Sequence, residues 1–413
     1  MELNKSTFAK NGFLQGDPVV WMVFVLLGII SIIEVYSSSS NMSYKTGDYW
    51  TPVLQHSAYL LMGFVVAWVI HLIPCNLFKI ISTFSLHVIA YPLLIAALFA
   101  EKVNDAGRWF EILGIKFQPS EIAKICLVTF VAFILSTLRD EKGASKKAFW
   151  WVFTEVAITC LLIFFENAST AFIIFIVMLC ICFYAQVKTR YLATICGLFI
   201  GGIALIFTFA HSIPESTLDE WAKTDGPLHR VPTWVHRITD HAEKPEDPKD
   251  YDISDNVQVT HAKIAIATCN VIGKGPGNSV ERDFLPQAYS DFIYAIIIEE
   301  GGILFGAFVM FLYLLLMWRA MKISKRCKAL FPSYLVLGLA LMMVIQAMIN
   351  MAVAVGAFPV TGQPLPLISK GGTSTFVNCA YIGMILSVSR NAKKMARTEK
   401  KENEEQSIQE VQA

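Results

Sequence analysis

The residues best suited to chemistry lie in four separated segments. Ser290-Asp291-Phe292 stands directly before a long apolar run, with Glu299 and Glu300 roughly two turns further on. A carboxylate held where water meets lipid is partly desolvated, which makes it a better proton acceptor than a solvated aspartate. The same pattern also reads as a helix cap, because Ser or Asp before an apolar run is a common helix start. The local sequence leaves both readings open.

A second segment offers cations. Arg108 follows Gly107, and the run Phe117-Gln118-Pro119-Ser120-Glu121-Ile122-Ala123-Lys124 leads into another apolar stretch. Pro119 at a first helical position, with Glu121 in the first turn, marks a helix start. Glu121 and Lys124 are then i, i+3 neighbours that can pair with each other. Alternatively, Arg108 and Lys124 present positive charge to a headgroup or diphosphate at the membrane surface.

A third segment, Gly273-Lys274-Gly275-Pro276-Gly277-Asn278-Ser279, is too irregular for a helix and lacks the spacing of a nucleotide-binding loop. It follows an amphipathic stretch, Val257 to Ile272, in which a helix is expected. The fourth, Asn350 to Thr375, is rich in Pro and Gly over Gly356 to Ser374 and cannot remain helical there. Irregular backbone at membrane depth is tolerated only under protein cover or beside a wet cavity, so this loop is expected to line a polar cavity. Thr361, Ser369 and Lys370 fall on it.

The elements that must position these segments follow from composition. Of 413 residues, 55% are hydrophobic and only 16% charged, with a formal net charge of +1. Soluble domains carry roughly 25% charged residues, so lipid is the main solvent. A near-zero net charge also excludes a nucleic-acid partner. Crossing the hydrocarbon as helix takes about 20 apolar residues. Ten stretches qualify: 19–39, 55–72, 81–100, 120–138, 148–166, 168–187, 191–211, 291–317, 331–352 and 373–389. The expected fold is an all-α polytopic membrane bundle.

With both termini cytoplasmic, the short inner segments collect Arg139 to Lys147, Lys188 and Arg190, Arg319 to Lys328, and the Lys/Arg-rich tail. That is the bias expected of inward-facing loops. The organisation is then a short cytoplasmic N-terminus over 1–18, a membrane domain over 19–389, and a charged tail over 390–413 expected to be disordered. The first apolar run has no small-residue cleavage site and is expected to act as a signal anchor. One outer loop, 212–290, is too long for a plain connector. Its His229, His236 and His241 lack the spacing of a zinc site. The nine cysteines lie mostly in or beside spans and read as apolar packers rather than a disulfide framework.

Taken together, the segments resemble the SEDS family (shape, elongation, division and sporulation) over nearly the whole chain. Gly107-Arg108-Trp109 with Gln118-Pro119-Ser120-Glu121 and Lys124 resembles its first signature. Gly277-Asn278-Ser279, Leu285-Pro286 and Ser290-Asp291-Phe292 resemble its second. Pro359-Val360-Thr361-Gly362, Pro364-Leu365-Pro366, Ser369 and Gly371-Gly372 resemble its third. Two positions depart from the pattern: Asn167 stands where many members have a carboxylate, and Lys370 where an aromatic is frequent.

The resemblance implies a peptidoglycan glycosyltransferase that joins lipid II units on the outer face of the bacterial inner membrane, most like the division-type members. Asp291 would be the catalytic base. Arg108, Lys124 and Lys370 would stabilise the diphosphate leaving group, with Glu121 orienting Lys124. Gln118, Ser120, Thr361 and Ser369 would line the sugar-diphosphate cavity. No cofactor is required by the sequence, although a divalent cation (Mg or Mn) is compatible with the chemistry. The implied partners are a class B penicillin-binding protein and other divisome membrane proteins. A lipid II flippase and a non-catalytic divisome scaffold are the rival readings.

Overall fold

The computed structural model describes residues 14–38, 50–99, 110–112, 115–141, 143–164, 167–211, 221, 232, 257–285 and 288–412. Its long helices are α1 (Pro18–Ser38), α2 (Trp50–Leu72), α3 (Cys75–Leu98), α4 (Pro119–Thr137), α5 (Lys146–Phe164), α6 (Ala168–Tyr184) and α7 (Thr189–His211). After the outer loop, which contributes the short α8 (Val257–Thr268), come α9 (Ile293–Arg326), α10 (Leu330–Ala354) and α11 (Gly372–Gln412). Two antiparallel hairpins join spans: β1 (Phe110–Ile112) with β2 (Ile115–Phe117), and β3 (Arg139–Asp140) with β4 (Gly143–Ala144). Neither hairpin was expected from the apolar pattern.

Polar contacts sort the helix ends into two groups. At one end, Arg319 binds Asp17 through both carboxylate oxygens, at 2.8 Å from Nε and 2.7 Å from Nη2. Lys393 Nζ donates to Gly16 O, Arg390 to Leu72 O, and Arg139 to the Tyr334 hydroxyl. Tyr184, Ser324 and Ser333 form a hydroxyl chain there. At the opposite end lie Gln118, Asn167, Asp291, Asn350 and the 359–371 loop. Among the described residues seven helices are long and apolar enough to cross a membrane, α1 to α5, α9 and α10, the shorter α6 is apolar as well, and α1 begins at the end where Lys393 of α11 lies. With α7 and α11, ten helices fall on the ten apolar stretches of the sequence.

The centre of the bundle is α4 and α10, the two most buried spans, with α2 and α3 facing outward. Without a hydrophobic drive between helices in lipid, close approach depends on small residues. On the α2–α11 contact, a side chain at Gly63 would fall 2.6 Å from Cys379 Sγ, and one at Gly383 would fall 2.7 Å from Ala67 O. Within α3 the turn Ser85–Ala90 widens to a π-helix just before Pro92, whose ring cannot donate to the ladder. The widened turn presents His87 and Tyr91 to the buried Glu155 of α5, with His87 Nε2 at 3.2 Å and the Tyr91 hydroxyl on the other oxygen.

Three features correct the sequence expectation. The tail is not disordered from 390 on: α11 continues to Gln412, through a stretch free of Gly and Pro and rich in the strong helix formers Glu, Lys and Gln. The eighth span is longer than 291–317 and is broken inside, because Gly302 takes φ 81°. The helix before the glycine-rich segment ends at Thr268 rather than Ile272.

Candidate functional site

Asp291 lies in the turn that opens α9, half-buried, at the end of the bundle opposite Arg319. Its Oδ1 accepts from Ser290 Oγ at 2.8 Å. Its Oδ2 faces Gly362, where an added Cβ would stand 3.6 Å away, so only glycine leaves that side of the carboxylate without a side chain. The backbone beneath is held at three successive carbonyls. Tyr289 O accepts from Lys370 N at 2.9 Å, Ser290 O from Ser369 Oγ at 2.6 Å, and Asp291 O from Asn350 Nδ2 at 2.8 Å. All three donors come from residues more than fifty positions later in the chain.

The loop that supplies two of those donors, 359–371, is the Pro/Gly-rich stretch, and side chains from the surrounding helices satisfy its backbone. Gln346 donates to Pro364 O at 3.0 Å, Asn350 to Gln363 O at 2.8 Å, and the buried Tyr313 hydroxyl to Pro366 O. Ser31 donates to Ile368 O at 2.6 Å and so must accept from His56 Nε2, 2.7 Å away. Gln363 reaches the start of α6, donating to Asn167 Oδ1 and to Thr170 Oγ1 at 3.0 Å. Ser169 closes the contact by donating to Thr361 O at 2.8 Å. Irregular backbone is thus covered by protein, the condition under which it survives at membrane depth.

The residues expected at the site divide by burial. Lys124 and Glu121 are fully buried, Nζ to Oε1 2.7 Å, and Lys124 also donates to Gln346 Oε1 at 2.8 Å. Ser120 is buried beside them. Gln118 precedes α4 and donates its backbone N–H to Thr373 Oγ1, joining the starts of α4 and α11. Thr361 and Ser369 are buried and face the loop's own structure, Ser369 Oγ also accepting from Leu365 N. Lys370 is different. Its ammonium lies 5.5 Å over the Tyr289 ring, with no carboxylate in ion-pair range among the described residues. Burial pushes it below the ordinary lysine pKa. Arg108 lies outside the described residues, as do His229, His236 and His241. Among the described residues no group of three or more His, Cys, Asp or Glu is arranged to hold a metal ion.

The glycine-rich segment packs against the break in α9. Left-handed Gly273 and Gly302 approach so closely that a side chain on either would collide with backbone of the other's segment, Gly302 N at 2.3 Å and Val271 O at 2.3 Å respectively. The break frees the carbonyls of Glu299 and Glu300, which accept from Lys274 N and Gly275 N at 3.0 and 2.8 Å. Their side chains bind the same segment. Glu299 takes Lys274 Nζ, Ser279 Oγ and Val280 N, and Glu300 takes Gly277 N, Ser279 N and Ser37 Oγ. The two glutamates therefore anchor the glycine-rich segment that precedes Asp291.

Sequence reasoning gave no role to Asn350 and Gln363, although both lie in the fourth segment, and missed Gln346 altogether. The available signal was a pair of amides one turn apart, Gln346 and Asn350, on an otherwise apolar span, since polar groups inside the bilayer are costly and usually functional.

Ten helices on apolar stretches, one of them broken, and a protein-covered loop around one half-buried aspartate define a polytopic membrane protein with a polar site at one end. The chain belongs to the FtsW/RodA/SpoVE family of cell cycle proteins, whose pattern it matches over residues 17–394. A probable peptidoglycan glycosyltransferase FtsW of Halomonas elongata is 30% identical over 406 residues, covering 96% of each chain. Its counterpart in Coxiella burnetii is 28% identical over 390 residues, covering 92% of this chain and 98% of that one. Among solved structures, a chain of a peptidoglycan synthase complex that coordinates polymerization and crosslinking superposes with TM-score 0.62 at 20% identity, covering 91% of this chain and 98% of that one. Thermus thermophilus rod shape determining protein RodA superposes with TM-score 0.58 at 20% identity, covering 91% and 97%.

Proposed function

We propose that this protein is a peptidoglycan glycosyltransferase that polymerises lipid II, with Asp291 as the general base. The observation that carries the assignment is the setting of Asp291: a half-buried carboxylate facing Gly362, on a backbone held at three consecutive carbonyls. Such a group is held in place and partly desolvated, as a base must be. It takes the proton of the acceptor's GlcNAc 4-hydroxyl. The O4 oxygen forms a bond to C1 of the donor MurNAc from the opposite face, the C1–O bond breaks, and the electron pair leaves with undecaprenyl diphosphate. Configuration at C1 is inverted.

Lys370 supplies positive charge for the leaving diphosphate, being a half-buried ammonium beside Tyr289, two residues before the base, with no carboxylate in ion-pair range among the described residues. Lys124 acts differently, by holding Glu121 and Gln346 inside the bundle. The gathering of Arg139, Arg319, Arg390 and Lys393 at one end supports, by the positive-inside rule, a cytoplasmic reading of that end and a setting of Asp291 at the outer face of the bacterial inner membrane. There it works in cell division beside a class B penicillin-binding protein that crosslinks the strands, a reading supported by the FtsW names of its relatives and the complex its fold resembles.

The test is polymerisation of purified lipid II by the detergent-solubilised protein with its penicillin-binding partner, comparing wild type with Asp291→Asn at equal folded yield. Polymer from the wild type alone supports the assignment. Equal polymer from both removes Asp291 from the mechanism, and polymer from neither, beside a working control polymerase, favours a flippase or a scaffold.

A further inference from the structure

Resting on the assignment of Asp291 as base, we infer that Asn350 is a positioning residue, whose amide locks the Asp291 turn to the 359–371 loop and so aims the carboxylate. Asn350 Nδ2 donates to Asp291 O and to Gln363 O, each at 2.8 Å. Both partners are carbonyls, so the amide can present only its NH2 to them, which decides its orientation. One turn earlier on α10, Gln346 repeats the device, donating to Pro364 O while accepting from Lys124. Two amides on one buried span thus hold adjacent carbonyls of the loop, and only the upper one also holds the turn of the base.

The residue type follows from the geometry. Serving two carbonyls from one nitrogen takes two N–H bonds spread in a plane. A serine hydroxyl has one donor, an aspartate has none when ionised, and leucine of similar size has none at all. Asn350 is 1% exposed, so it is shielded from substrate and acts through Asp291. The neighbouring carbonyls keep their own donors, Lys370 N and Ser369 Oγ, so loss of Asn350 frees the last link rather than the whole turn. A catalytic group displaced by about 1 Å costs on the order of 100-fold in rate. Because substrate does not touch Asn350, the loss falls on kcat and leaves KM nearly unchanged.

The experiment measures kcat and KM for lipid II in the complex with its penicillin-binding partner, for wild type, Asn350→Leu and Asp291→Asn, with melting temperature as the control of fold. The expected result for Asn350→Leu is kcat lower by roughly 30- to 100-fold with KM within about threefold of wild type. A folded Asn350→Leu with wild-type kcat overturns the inference, as does a raised KM with unchanged kcat. Should Asn350→Leu fail to fold, Asn350→Ser is read by the same criteria. If neither folds, Asn350 serves stability rather than positioning and the inference is overturned. Activity retained in Asp291→Asn defeats the base assignment itself, whereas an inactive Asp291→Asn beside a fully active Asn350→Leu defeats only the positioning role.

Discussion

Lys124 Nζ lies 2.7 Å from Glu121 Oε1, and neither charge reaches the surface. Breaking a buried pair from one side leaves an uncompensated charge, which costs about 3–5 kcal/mol, whereas replacing both partners by apolar residues is often neutral. Lys124→Met should therefore lower stability by about 3–5 kcal/mol. Glu121→Leu together with Lys124→Met should recover most of that loss. Unfolding in detergent micelles checks this. A Lys124→Met protein of unchanged stability that binds lipid II weakly would instead make Lys124 a substrate cation.

Lys370 carries the pH dependence of the proposed diphosphate contact. Burial lowers its pKa, so the ammonium is present below that lowered value and is lost as pH rises through it, earlier than for a solvated lysine. A bound diphosphate favours the charged form, so affinity for lipid II should fall on the alkaline side. In Lys370→Met, KM should be higher and its alkaline rise absent. Identical alkaline profiles in the two proteins would assign the effect to another group.

Asn167 caps the start of α6 through its side-chain oxygen. Its Oδ1 accepts from Thr170 N and Gln363 Nε2, both donors. Asn167→Asp keeps every one of these and adds negative charge at a helix N-terminus, worth about 0.3–1 kcal/mol. It should retain activity and stability. Asn167→Leu loses the cap, a cost of about 1 kcal/mol, and also frees Gln363, so its activity should fall further than its melting temperature suggests.

Gly302→Ala should sharply reduce folded yield in a detergent extract analysed by size exclusion. The backbone there is left-handed and an added Cβ would stand 2.3 Å from Val271 O. A monodisperse Gly302→Ala protein at wild-type yield would show that the α9 break and the 271–281 segment can rearrange together.

The ten helices on apolar stretches were legible because each residue's preference for lipid or water is local: an apolar run reads the same whatever packs against it. The four polar segments were legible for a related reason, since Pro, Gly and charge interrupting apolar runs at one end of the spans need a protected setting. The break at Gly302 was not, although Glu299-Glu300-Gly301 precede it, because a glycine inside a span only lowers helix propensity and it is the approach of Gly273 that stabilises the left-handed turn. Lys124 could be read as an internal partner or as a substrate cation, and its burial between α4 and α10 favours the first, which the Lys124→Met variant tests. Asn350 gave no sign of its partners, which are carbonyls 59 and 13 positions away. Which segments meet, and therefore which donor finds which carbonyl, is set by how the helices pack, and no periodicity within a single helix encodes it.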